Sequence, residues 1–280
     1  MKTIRGMFFS GTGTTEKIVK SVASEMAAAL PAGAFAKAAD IDFTPPETRK
    51  RVYTFGADDI VVFGTPVIAG RVPNVLLKFL NTLEGGGAQA VPIVLYGNRN
   101  YDDALIELRN ILEERGFHTV AAAAFIGEHS FSKVLAAGRP DREDMNRAGA
   151  FARAAAVRIK TLGKRIPEPV EVRGETPVRD YYKPRDRHGE YINILKVKPK
   201  LDAERCTACG ICVDACPMGS IRKSAPGIVE GICIKCCGCE KKCPEGALYF
   251  DDPGYIYHKE ELEYLYAGIR REAEVFIPED

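Results

Sequence analysis

No cysteine occurs before Cys206, although the 280 residues hold nine. The composition therefore falls into two regimes, and this length suggests two domains. No apolar run approaches the roughly 20 residues needed to span a bilayer. Net charge is missing as well: Lys and Arg total 39 against 38 Asp and Glu, a formal +1. On that balance neither nucleic acid nor an anionic membrane surface is an expected partner. No leader pattern precedes the first apolar run, because residues 1–5 enter it directly. Disulfides are accordingly not expected.

What is present is a repeated spacing. Cys206, Cys209, Cys212 and Cys216 are followed by Pro217, and Cys233, Cys236, Cys239 and Cys243 by Pro244. Each run reads C-x2-C-x2-C-x3-C-P, the ligand run of bacterial [4Fe–4S] ferredoxins. Three thiolates spaced by two residues can wrap three irons of a cubane, and the fourth must come from elsewhere. In two-cluster ferredoxins it comes from the other run. That rule assigns Cys206, Cys209, Cys212 and Cys243 to one cluster. It assigns Cys233, Cys236, Cys239 and Cys216 to the second. Paired zinc sites would accept C-x2-C, but not two runs that each end in C-P. Cys237, inside the second run, reads as a small residue packed beside a cluster; a substitute ligand or a redox-reactive thiol is the sharper alternative. Exposed low-potential clusters and abundant thiols point to a reducing cytoplasm, that of an anaerobe.

The cysteine-free region alternates. Apolar strand-like runs cover 3–9, 60–63, 91–96 and 120–126, with a weaker one at 34–41. Helical patterns cover 15–30, 74–83, 102–115 and 141–162. Such alternation predicts a parallel sheet with helices on both faces. The loop after the first strand reads Ser10-Gly11-Thr12-Gly13-Thr14-Thr15. Glycines let a backbone approach a ligand closely, and hydroxyls and free amides at a helix N-terminus suit a phosphate. The lysine of a P-loop is absent, and so is the G-x-G-x-x-G pattern. A phosphate monoester held without a metal fits this loop; a capped helix behind an ordinary polar loop is the plainer alternative.

Ser10, Thr12, Gly13 and Thr15 match the pattern S/T-x-T-G-x-T in register, so this region resembles a flavodoxin. The whole chain resembles the flavodoxin–ferredoxin fusion proteins, apart from the linker and the last helix. The resemblance implies an α/β fold: a flavodoxin-like, doubly wound, five-stranded parallel sheet over 1–164, then a small α+β bacterial 2[4Fe-4S] ferredoxin domain over 201–252. It implies FMN at the carboxyl ends of strands one and three, with its phosphate on Ser10, Gly11, Thr12, Gly13, Thr14 and Thr15. Two further loops would flank the ring. One offers Thr65, Pro66, Val67, Ile68 and Gly70; the other offers Gly97, Asn98, Arg99 and Tyr101. The first holds no aromatic of the kind flavodoxins commonly stack on the ring, only Ile68, so Tyr101 is the expected stack. Acids common around the flavodoxin ring are also absent, and Arg71 and Arg99 are present instead. In the loop after the fifth strand, Glu128 and His129 join Tyr101 as candidates for proton transfer; a polar loop capping the next helix is the alternative. His118 and His258 read as surface residues.

Residues 165–200 form the linker, with Pro167, Pro169, Pro177, Pro184 and Pro199 making it extended and semi-rigid. Its adjacent Tyr181 and Tyr182 suggest that it docks on one of the domains. Residues 253–280 read as a helical extension, with an amphipathic helix over 259–276 carrying Leu262, Leu265, Tyr266 and Ile269 on one face. Acids and bases balance within the ferredoxin region. Lys235, Lys241 and Lys242 lie in the second run, so a redox protein meeting that cluster is expected to be neutral or acidic. A homodimer is left open. The expected activity is electron transfer between two [4Fe-4S] clusters and FMN, coupling one- and two-electron carriers. The alternatives are a reductase, in which the clusters feed a flavin that hydrogenates a bound small molecule, and a redox sensor.

Overall fold

The computed structural model describes residues 1–163 and 165–278. The expected domain boundary at Lys164 and the last two residues of the expected extension, 279 and 280, lie outside the described residues.

The first domain runs β1 (Lys2–Phe8), α1 (Thr14–Ala29), β2 (Phe35–Lys37), β3 (Ile41–Asp42), β4 (Asp59–Pro66), α2 (Asn74–Leu80), β5 (Gln89–Tyr96), α3 (Ala104–Glu114), β6 (His118–Thr119), β7 (Ala122–Ile126) and α4 (Arg142–Leu162). β2 and β3 share one edge position beside β1, and β6 and β7 share another beside β5; all these pairings are parallel. The five positions therefore follow the order 2-1-3-4-5, the flavodoxin-like doubly wound arrangement. Every residue of β5 is buried, as expected for a central strand covered on both faces. Along it Val91, Ile93 and Leu95 turn to one core and Ala90, Val94 and Tyr96 to the other. The first core is closed by α1 and α4, through residues such as Ile18, Val22, Phe151 and Ile159. The second is closed by α2 and α3, through Leu76, Phe79, Leu105 and Leu108. Asp141 caps α4 by accepting from the amides of Glu143 and Asp144, and the Asp144 side chain accepts in return from the Asp141 amide. Such a reciprocal cap satisfies the orphan donors of the first turn.

The cysteine-rich part is small and symmetric. β8 (Lys200–Leu201) pairs antiparallel with β9 (Leu248–Tyr249), and between them each cysteine run enters a one-turn helix, α5 (Ile211–Asp214) or α6 (Gly238–Lys241). Ile221, Leu248 and Cys212 form its core.

Two expectations need correction. The terminal helix, α7 (Pro253–Tyr266), starts earlier and stops sooner than the apolar pattern suggests. Asp252 caps it and Pro253 occupies its first turn, both strong start signals. Its buried face is Tyr255, His258 and Leu262, while Leu265 and Ile269 are exposed. Beyond it, the extension is not helical: β10 (Glu274–Phe276) joins the first domain's sheet antiparallel to β7. The sheet thus gains an eighth strand, at a sixth position, that a three-residue segment could not announce by periodicity. The chain returns to its first domain and brackets the cysteine-rich part.

The linker is extended, as expected, but it is fastened along its length. Val170 is buried, Arg179 forms a salt bridge with Asp103 at 2.5 Å, the Tyr181 hydroxyl donates to the Val72 carbonyl at 2.8 Å, and the Tyr182 amide donates to the Ala69 carbonyl at 2.8 Å.

Candidate cofactor sites

A cavity of ≈ 250 Å³ opens at the carboxyl ends of β1, β4, β5 and β7. Its floor is the loop before α1. Ser10 organises that loop from behind: its hydroxyl accepts from the amides of Gly13 and Glu16, each at 3.1 Å. Gly13 takes the left-handed conformation at the helix start and supplies no side-chain cap. Among the described residues, no hydrogen bond within the protein engages the hydroxyls of Thr12, Thr14 and Thr15 or the amides of Gly11, Thr12, Thr14 and Thr15. Glu16, the acid that follows the loop in the chain, is turned to Lys20 at 2.5 Å. Unengaged donors at a helix N-terminus, with no carboxylate among them, fit the phosphate of FMN. Above the loop the lining is mostly apolar, including Phe9, Val67, Ile68, Leu95 and Phe131, which fits a planar aromatic ring.

Gly11, Thr12, Thr14, Thr15, Pro66, Val67, Ile68, Gly97, Arg99, Glu128 and His129 all line this cavity. Six expected residues do not reach it. Ser10 and Gly13 act on the loop itself. Gly70 packs against Asp102. Thr65 is fully buried with its hydroxyl unpartnered. Asn98 spends its side chain on the terminal tail, donating to the carbonyls of Tyr266 at 3.0 Å and Ile269 at 2.6 Å. Tyr101 turns into the core, where its hydroxyl donates to Glu274 of β10 at 2.9 Å; burial pushes its pKa well above the ordinary tyrosine value. An aromatic wall is present all the same, but it comes from the linker. Tyr182 lines the cavity, with the Arg99 guanidinium 4.4 Å from its ring centroid and the His258 ring stacked on it at 6.0 Å. Arg99 is also paired with Asp102. Arg71 lies elsewhere: it holds Glu107 with two hydrogen bonds, 2.7 and 2.8 Å, and packs over Tyr181.

Two histidines face the same space. Burial, then the Lys241, His258 and Arg99 charges, lower His129 to about 3. Burial and Arg99 lower His258 to about 4. Both rings are therefore neutral at pH 7. The Nδ1 atom of His129 accepts from the Phe131 amide at 3.1 Å, so its proton sits on Nε2. His258, read from the sequence as a surface residue, is buried. Glu128 is not free for chemistry. Burial works to raise its carboxyl, but the Lys241 ammonium and the Gly138 amide outweigh that and hold it below its ordinary range.

The cysteines gather in two quartets. Cys206, Cys209, Cys212 and Cys243 surround one small cavity; Cys216, Cys233, Cys236 and Cys239 surround another, with Cys237 beside them. Each quartet takes its fourth member from the other run. Among the described residues no three His, Cys, Asp or Glu side chains converge as a single ion would require; thiolates spread around a cavity suit a cluster instead. Backbone amides already point at the sulfurs, from Ala208 to Cys206 at 3.4 Å, Ser220 to Cys216 at 3.3 Å and Ala247 to Cys243 at 3.3 Å. Burial, then the neighbouring Cys233 and Cys216 thiolates, push Cys236 up to about 11 against the opposing Gly238 amide. Such a crowd of thiolates needs cationic metal to hold its charge. The two runs are also conformationally alike: Ala208 and Lys235, Gly210 and Cys237, and Gly219 and Gly246 all have positive φ at equivalent places. Cys237 therefore stands where the first run has glycine.

The second quartet adjoins the large cavity. Ile234, Lys235 and Cys236 form part of that cavity's lining. A Cβ placed on Gly11 would lie 3.0 Å from the Cβ of Cys236, and one on Gly238 would lie 2.5 Å from the Gly11 carbonyl oxygen. Polar clamps fix this seam. Lys241 pairs with Glu128 and donates to the carbonyls of His129 at 2.8 Å and Ser132 at 3.2 Å. Arg49 donates to the carbonyls of Phe43 at 2.8 Å and Thr44 at 2.6 Å, and also to that of Pro217. Lys235 donates to the carbonyls of Cys233 at 2.9 Å and Leu195 at 3.2 Å. Two of the three bases expected to meet a partner at the second run are thus used inside the chain; Lys242 alone stays exposed.

Residues 199–222 match the family model of the 4Fe-4S binding domain, which includes the first cysteine run. No curated protein matches the chain. Solved structures similar to the N-terminal part include a flavodoxin from the domain Archaea, with 12% identity over 57% of this chain and 99% of that one and a TM-score of 0.40. A flavodoxin from Streptococcus pneumonia TIGR4 has 21% identity over 55% and 98%, with a TM-score of 0.38. An oxidoreductase from Corynebacterium diphtheriae has 17% identity over 57% and 98%, with a TM-score of 0.42. By its sheet order the N-terminal part is a flavodoxin-like α/β domain, and the matched residues belong to a 4Fe-4S domain that follows it. Among the described residues no helix is long and apolar enough to cross a membrane.

Proposed function

We propose that the chain is an electron-transfer protein that relays electrons between FMN and two [4Fe-4S] clusters. The observation that carries this reading is the seam at Gly11, where a ligand thiol of the second quartet abuts the loop suited to the FMN phosphate. FMN would supply an exchange between paired and single electrons, and each cluster a one-electron store. The chain's own residues do the rest. Thr12, Thr14, Thr15 and the loop amides hold the phosphate, while Ile68 and Tyr182 flank the ring space. Lys241 and Arg49 hold the second quartet against the first domain. The second quartet adjoins the proposed flavin space through Cys236, and in the first quartet Cys209 is the exposed thiol.

A specific observation also supports the reductase alternative: two neutral histidines, His129 and His258, line a cavity closed by linker and tail. Neutral imidazoles each offer one N–H donor and one acceptor nitrogen, which can orient a bound substrate. The relay is preferred because the ferredoxin-type domain occupies the face that a separate protein would otherwise meet.

The test is an anaerobic reductive titration of the reconstituted protein. It should take up about four electrons, two on FMN and one on each cluster. Internal equilibration should be independent of protein concentration. A single metabolite reduced with saturation kinetics, dependent on His129, would favour the reductase instead.

A further inference from the structure

A second opening lies on the outer side of the second quartet. It is a shallow groove walled by Leu195, Lys196, Lys198, Gly231, Ile232 and Cys233. Its apolar members are strongly exposed, Leu195 at 70% and Ile232 at 58%. Leu195 also lines the large cavity, so it borders both the groove and the proposed flavin space. Cys233, a member of the second quartet, forms the groove's other end. The segment bearing the lysines is held in place: Lys235 donates to the Leu195 carbonyl, and Lys198 donates to the Val229 carbonyl at 2.8 Å. Neither Lys196 nor Lys198 has a carboxylate partner among the described residues. The nearest acid in the chain, Glu230, is paired with Arg222. The rim is therefore positive.

We propose that this groove docks a single-electron carrier protein with an acidic surface. Exposed apolar side chains supply the contact centre, and a basic rim selects a negative partner and speeds its approach. The position supports the same occupant, because a protein seated there meets a cluster thiolate directly. A cluster held by the second quartet would exchange one electron with the carrier in each encounter, one being oxidised as the other is reduced. The proposal rests on the relay reading for its electron traffic, whereas the docking itself is measured separately.

The experiment uses the full-length reconstituted protein. The probes are a small [2Fe–2S] ferredoxin with a strongly acidic surface and a basic c-type cytochrome. Binding is measured by titration calorimetry at low and high salt. The acidic ferredoxin should bind and weaken as salt rises, because exposed charges are screened. Lys196→Glu with Lys198→Glu should weaken it at least tenfold at low salt, while iron and flavin contents stay at wild-type levels. No binding of the ferredoxin, unchanged binding by the double variant, or tighter binding of the cytochrome by the wild type overturns the docking site. Concentration-independent equilibration between clusters and flavin is followed in the same samples. Its absence, with charge-dependent binding intact, overturns the relay and leaves the docking site standing.

Discussion

The Sγ atom of Cys236 lies 3.2 Å from the position a Cβ on Gly11 would take. Such contacts are tighter than ordinary packing, so a side chain at Gly11 requires the loop before α1 and the second quartet to shift apart. This proximity predicts a graded series. Gly11→Ala should slow equilibration between clusters and flavin modestly, and Gly11→Leu much more, as the two domains are forced apart. Iron and flavin contents should remain near wild type in Gly11→Ala. Rapid-mixing spectroscopy under anaerobic conditions measures the rates. Transfer as fast as wild type in the Gly11→Leu variant would refute a short path through this seam.

Cys237 occupies a left-handed position that Gly210 fills in the first run, with φ 56 against 80. A non-glycine residue there costs roughly 1–2 kcal/mol. Burial pushes its thiol well above the ordinary value, while the Tyr255 hydroxyl, 3.3 Å from its sulfur, works the other way. Cys237→Gly should relieve the backbone and lose the buried contact, leaving stability within about 1 kcal/mol of wild type. About eight iron atoms should remain per chain. Iron analysis and anaerobic melting check both. Loss of half the iron would make Cys237 a ligand.

The two buried histidines predict an acid-side loss of stability. Their folded pKa values, about 3 for His129 and about 4 for His258, lie below the ordinary 6.5. Between those values the unfolded chain binds protons that the folded chain refuses. Their contribution is therefore complete above about pH 6.5 and declines as pH falls. Each contributes a slope of at most ~1.4 kcal/mol per pH unit. Replacing both by Gln should flatten the decline between about pH 6.5 and 5 in urea melts. Parallel wild-type and variant curves over that range would count against the assignment.

The cysteine runs were legible because the donors for a cluster are packed along a short stretch, so spacing in the chain is nearly spacing in space. The alternating strands and helices were legible for a related reason: a strand buried on both faces must be apolar throughout, as 91–96 is. Thr12, Thr14 and Thr15 were readable as one cavity-facing loop, since local backbone builds it. Other features depended on partners distant in the chain. Asn98 and Tyr101 sit in the expected loop but are claimed by Tyr266, Ile269 and Glu274, more than 160 residues on. Tyr182 and His258 enter the cavity from the linker and the last helix, where no local pattern marks them. Lys241 lies in a run of bases that reads as solvent-facing until Glu128 is brought to it. Sequence alone determined where the two cysteine runs and the glycine- and threonine-rich loop lie, because such runs and loops are local. Only the tertiary structure decided that the second quartet abuts the cavity at the carboxyl edge of the sheet, because that seam depends on where the linker and the β10 strand fasten the two domains together.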